Sequence, residues 1–334
     1  MAARFAVKRW SLAALAAVTL VNGTAAVAAT IPDKAEAGSV RMAVDPWLGY
    51  GPWHIAQAQG FFKANGLSDV QLVNFNEDKD RAAAIAGGQV DVASIPTHTA
   101  LLLAQSGVKL KIILLLDFSL SADAIASDKI GSIAQIKGQS VAYEEGSTSD
   151  ILLNYALAQQ GLTINDIKKV PMPAAQAGAA LIAGQVPVSV TYEPYLTSAM
   201  NQNKKIKLVY SAGKDPGLVS DVLVATDDAL QKHPGQVLAL VKSWGQGLQY
   251  YRANQQAGRA IIAKAVGSSP ADLASAFDGV QFYSIAENKA HLSGDFATKT
   301  LVDVDKAAVA AKILTGPVPT AGMIDDTFVV KAVK

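Results

Sequence analysis

The chain has no cysteine among its 334 residues, which excludes disulfides, thiol nucleophiles and thiolate metal sites and leaves the fold to its hydrophobic core. It is almost as poor in histidine. The four, His54, His98, His233 and His291, include no pair at metal-ligand spacing, so no metal or other cofactor is expected. Charge of one sign is also missing: the formal net charge is +1, without the basic excess that a phosphate backbone demands, so nucleic acid is not an expected partner. Gly-x-Ser-x-Gly, Walker and dinucleotide motifs are all absent. Long apolar runs are lacking except for one, at 12–21, which follows Arg4, Lys8 and Arg9 and ends at Ala26-Val27-Ala28. It is too short to span a bilayer and reads as part of a secretory signal peptide at 1–28. Without cysteine there is no lipoprotein anchor. Removing the peptide takes the formal charge to −2, and a soluble periplasmic protein is expected.

What is present begins with the stretch 40–53, a strand signal at Val40, Met42 and Val44 that runs into Trp47, Gly49, Tyr50, Gly51 and then Pro52 at a helix start. Strand-like segments follow at 70–75, 90–95, 110–118, 123–127, 140–144, 168–172, 186–192, 206–211 and 222–226, separated by amphipathic helices at 54–65, 81–86, 150–160 and 174–183. This alternation predicts α/β architecture with largely parallel sheets. After Pro234 the pattern becomes helical (236–256, 258–266, 271–277 and 303–314), with no convincing strand between.

An internal echo divides the strand-rich part. Ala83-Ala84-Ile85-Ala86-Gly87-Gly88-Gln89-Val90 recurs as Ala179-Ala180-Leu181-Ile182-Ala183-Gly184-Gln185-Val186, each copy behind a strand, a loop and a helix in the same order. Two similar lobes explain it, 39–118 with 222–334 and 119–221, joined by two crossings near Asp117 and Asp221. Paired crossings permit hinge closure, and strand-to-helix loops of both lobes would face one cleft. The ligand-binding candidates are Trp47, Tyr50, Trp53, Asp78, Thr97, His98, Asp117, Asp123, Glu145, Ser147, Thr148, Tyr192 and Glu193. His98 stands apart from the other histidines because Pro96-Thr97-His98-Thr99 falls on an expected cleft loop.

Several of these segments carry a resemblance: Gly49-Tyr50-Gly51-Pro52, Gln59-Gly60-Phe61-Phe62 with Gly66-Leu67, Ala86-Gly87-Gly88-Gln89-Val90-Asp91, Lys137-Gly138, Gly146-Ser147-Thr148-Ser149, Gly161-Leu162 and Tyr192-Glu193-Pro194-Tyr195. In order and spacing the chain resembles the extracytoplasmic solute-binding proteins of ABC importers in the nitrate, sulfonate and taurine group. Pro187 departs from that pattern, standing where an acid matching Asp91 is expected. The resemblance implies a bilobed type II periplasmic-binding fold with a C-terminal helical wrap, capture of a small solute, delivery to a membrane permease, and action as a monomer. A periplasmic ligand-sensing receptor is an alternative, as is an enzyme related to the synthases of the thiamine pyrimidine precursor.

The loops leave the charge of the solute open. Ser147, Thr148 and Ser149 at a helix start could cradle a sulfonate, although a serine or threonine there also caps its own helix. Glu145, Glu193, Asp117, Asp123 and Asp78, beside Trp47, Tyr50, Trp53 and Tyr192, could instead hold a cation. Lys79 is the one cation in the candidate loops, which favours a cationic, zwitterionic or neutral solute over a bare oxyanion.

Overall fold

The strand at the start of the 40–53 stretch, β1 (Ser39–Val44), pairs in parallel with β2 (Asp69–Asn74) and β3 (Val92–Pro96). The computed structural model describes residues 30–334, and the signal peptide expected at 1–28 lies outside them. β1 is buried at Val40, Met42, Ala43 and Val44, as a strand covered by helices on both faces must be. The long apolar strand β4 (Leu110–Ser119) runs directly into β5 (Asp123–Ser127) of a second sheet. That sheet contains β6 (Ser140–Tyr143), β7 (Lys168–Pro171), β8 (Val188–Tyr192) and β9 (Lys207–Ser211). β10 (Ser220–Thr226) returns to the first sheet, and β11 (Val280–Phe282) closes its edge.

The strand orders are β11-β4-β10-β3-β1-β2 and β7-β6-β8-β5-β9. Each sheet has three parallel strands whose first member lies in the middle, then one antiparallel strand contributed by a crossing, β10 in one and β5 in the other. The repeated segment is the clearest trace of this symmetry. Helices Asp78–Ala86 and Ala174–Ile182 both end in a turn with a left-handed glycine, Gly88 at φ 66° and Gly184 at φ 67°, a conformation costly to any residue with a Cβ. The next amide closes both turns alike, Gln89 to Ala84 and Gln185 to Ala180.

The two crossings run side by side, Ser119 N–H donating to the Val219 carbonyl at 3.0 Å. Behind the first sheet, helix Gly51–Ala58 packs on helix Pro234–Ala253, and Gly247 admits the Pro52 carbonyl where a Cβ would collide with it. The C-terminal third is a helical wrap (Gln255–Ala265, Ile285–His291, Leu301–Ala310 and Thr327–Ala332) with two departures from expectation. It holds one strand, β11, and 271–277 is turn and 3₁₀ rather than helix. Ser269 starts that segment with a hydrogen bond from the Asp272 amide at 3.1 Å, but the chain must then turn Leu273, Ala276 and Phe277 together into the core.

Candidate functional site

The carboxyl ends of the parallel strands in both sheets open toward one gap, the position where open α/β sheets bind ligands. Asp45, Trp47, Tyr50, Asn76, Asp78 and Pro96 line it from one lobe, Glu144, Ser147, Thr148 and Tyr192 from the other, and Asp123, Val219 and Asp221 from the crossings. The space enclosed is about 20 Å³, room for little more than one water, so the lobes are closed on each other. Three contacts span the gap. The Trp47 and Tyr192 rings meet edge to face at 5.9 Å, Asp78 N–H donates to Glu144 Oε1 at 3.1 Å, and His98 Nε2 donates to the Gly146 carbonyl at 3.2 Å.

The electrostatics are lopsided. Five carboxyl groups face the gap, those of Asp45, Asp78, Asp123, Glu144 and Asp221, and Asp117 lies just behind Trp47, whose indole N–H reaches its Oδ1 at 3.2 Å. Arg81, in the helix Asp78–Ala86, is the one buried lysine or arginine among the described residues. It pairs with Asp45 at 2.8 Å and with Asp78, and its guanidinium sits 5.9 Å from the Tyr50 ring centre. Arg81, rather than the exposed Lys79, is therefore the cation of the site. Burial pushes Asp45 up to about 6, the nearby Arg81 offsetting part of the effect, and pushes Asp123 and Glu144 up to about 7 each. Asp117 and Asp221, opposite one another on β4 and β10, lie well above the carboxylate range because of burial and their neighbouring acids, although Tyr50 donates to Asp221 at 2.6 Å. Burial drives the His98 imidazole below its ordinary value, the nearby Asp78 and the Gly146 carbonyl offsetting part of the effect.

Of the residues singled out in the sequence, Trp47, Tyr50, Asp78, Asp123, Ser147, Thr148 and Tyr192 come together at the gap. Asp117 backs it. Trp53 does not reach it: the indole lies in the core against Trp244 at 4.8 Å and Phe62, donating to Ser94 at 2.9 Å. Thr97 and His98 belong to the first turn of helix Thr97–Gln105 rather than a loop, since Pro96 leads straight into it. Thr97 bonds the Ser220 hydroxyl at 2.8 Å, and His98 bonds the opposite lobe. Glu145 points outward to Lys169 at 3.2 Å, and its neighbour Glu144 takes the inward place. Glu193 accepts the Thr197 amide and hydroxyl at 3.0 and 2.7 Å and so fixes the helix Tyr195–Gln202. Ser147 caps its own helix, accepting the Ser149 amide at 3.1 Å. Asp45 lies in the stretch 40–53 and Asp221 at a crossing, both legible in the sequence, and Asn76 and Glu144 lie beside the candidates Asp78 and Glu145, but Arg81 carries no such signal: within Asp78-Lys79-Asp80-Arg81 it reads as a solvated helix charge.

Comparison with known proteins bears on the family and the fold. The family model described as NMT1/THI5 like matches residues 49–258. The chain is 23% identical to the taurine-binding periplasmic protein of Escherichia coli (strain K12) over 294 residues, 86% of this chain and 91% of that one. It is 28% identical over 149 residues to a candidate aliphatic sulfonates-binding protein of the same organism, a match spanning 45% of this chain and only 46% of that relative's length. The alkanesulfonate-binding protein of Xanthomonas axonopodis pv. citri, solved bound to MOPS, superposes with a TM-score of 0.71 at 17% identity, covering 87% of this chain and 99% of that one. That likeness gives the fold, a periplasmic-binding-protein fold with two α/β lobes.

Proposed function

The chain belongs to the NMT1/THI5-like family, and on that premise we propose that it is the periplasmic substrate-binding component of an ABC importer, which takes a small amine-bearing solute between its lobes and presents it to a membrane permease. Residues 39–118 with 222–334 form one lobe and 119–221 the other, and closure about the two crossings traps the solute. Binding, not chemical conversion, is the task. Relatives named for sulfonates and taurine support solute capture. The observation that carries the charge of the solute is the ring of five carboxyl groups at the gap, whose buried cation, Arg81, is already paired with Asp45 and Asp78. A positive group entering there replaces protons on Asp123 and Glu144 and faces Trp47, Tyr50 and Tyr192.

Calorimetric titration of the mature protein with small amines, guanidinium compounds, amino-sulfonates and simple oxyanions tests this. Amine-bearing compounds are expected to bind. Tight nitrate or alkylsulfonate binding with no amine response would overturn it.

A further inference from the structure

Glu144 follows β6 and is 8% exposed, yet it reaches across the gap in a way its neighbour Glu145 does not. Its Oε1 accepts the amide of Asp78, the first residue of helix Asp78–Ala86 in one lobe, at 3.1 Å. Its Oε2 accepts the amide of Ala174, the first residue of helix Ala174–Ile182 in the other, at 3.2 Å. First-turn amides have no partner within their own helix, and the helix dipole makes them acceptor sites for anions. One carboxylate therefore takes both helix starts, one from each half of the repeat, and it lines the same gap as Asp123 and Asp221. A sulfonate or carboxylate group on a solute would need these amides for its oxygens and would meet the Glu144 carboxyl oxygens instead.

We propose that Glu144 is the specificity-determining residue of the cleft, a side chain whose two carboxyl oxygens hold the two helix starts and so restrict the solute to a cationic compound without a sulfonate group. The proposal rests on the cleft being the solute site. It assigns the exclusion of a sulfonate group to a single side chain, because, of the five carboxyl groups at the gap, Glu144 accepts a helix-start amide from each lobe. Removing the carboxyl group frees two amides for the oxygens of one tetrahedral anion and takes away one of the five carboxyl groups, so a sulfonate should gain and an amine should lose affinity.

The test is calorimetric titration of the mature protein and its Glu144→Ala variant with ethanesulfonate and with a panel of small alkylamines and guanidinium compounds. Glu144→Ser supplies a second small side chain should alanine unfold the chain. The native protein is expected to ignore ethanesulfonate, and the variant to gain it by about tenfold or more in affinity while losing amine affinity by a similar factor. A folded variant that gains no ethanesulfonate binding, or a native protein that binds ethanesulfonate as tightly as the variant, overturns the role of Glu144. Trp47→Ala separates this from the cleft assignment. Amine binding that survives Trp47→Ala unchanged overturns the cleft itself, whereas amine binding lost with Trp47 while sulfonate is never gained overturns Glu144 alone.

Discussion

Replacing Trp47 with alanine removes the edge contact to Tyr192 across the gap and the donor to Asp117. Solute affinity should fall by about tenfold or more, as for a desolvated aromatic anchor, with the fold retained. Trp53→Ala should do the reverse. It empties the space between Trp244 and Phe62 and leaves Ser94 without its donor, costing about 3–5 kcal/mol in denaturant unfolding without changing the affinity of the folded fraction. Glu193→Ala loses both bonds to Thr197 and should cost about 1 kcal/mol, with calorimetry showing no loss of binding. Residue type told that aromatics and acids crowd these loops, but not which way each points. Beyond the last paired residue of β6 the alternation of faces can no longer be counted, so Glu144 and Glu145 exchange places relative to expectation. Arg81 is invisible for another reason: its burial depends on Asp45, which comes from a different element.

Among the elements, the close approach of helices Gly51–Ala58 and Pro234–Ala253 depends on Gly247, since any Cβ there collides with the Pro52 carbonyl. Gly247→Ala should force the helices apart at a cost of about 1–3 kcal/mol, read as a lower denaturation midpoint with an unchanged slope. Because helix Gly51–Ala58 follows the turn that carries Trp47 and Tyr50, solute affinity should fall with it. A midpoint unchanged by this substitution would mean that the helix pair has room to spare. The strands and the repeat were legible because apolar runs bounded by glycine turns have few other uses, and the Gly88 and Gly184 turns need glycine for its left-handed backbone. Strand β11 was not, since Val280–Phe282 pairs only with β4 and has too few residues to show a period. Helix Thr97–Gln105 was hidden by a start that looks like a polar loop.

For the whole molecule, closing two lobes over buried acids ties both stability and binding to pH. The carboxyl groups of Asp45, at about 6, and of Asp123 and Glu144, at about 7, titrate higher in the fold than their ordinary values of 3.8, 3.8 and 4.5, and burial raises Asp117 and Asp221 as well. Between about pH 4 and 7 the folded protein thus holds more protons at these sites than the unfolded chain, and stability falls as pH rises through that window. His54 and His98, both lowered by burial, act in the opposite direction below about 6.5, but two histidines are set against five carboxyl groups, and above that pH they no longer titrate. Surface acids lowered by partners, such as Asp166 and Asp303, change charge below the window. The solute-free protein should therefore melt lower at pH 8 than at pH 5.5, by about 2–4 °C or more, and Asp123→Asn should flatten part of the difference. A cationic solute needs the carboxylate forms, so its affinity should rise over the same interval, with protons released on binding and detected as a dependence of calorimetric heat on the ionisation enthalpy of the buffer. A solute-free protein that melts as high at pH 8 as at pH 5.5 would mean that these carboxyl groups are already ionised in the closed cleft, with their charge balanced from outside it.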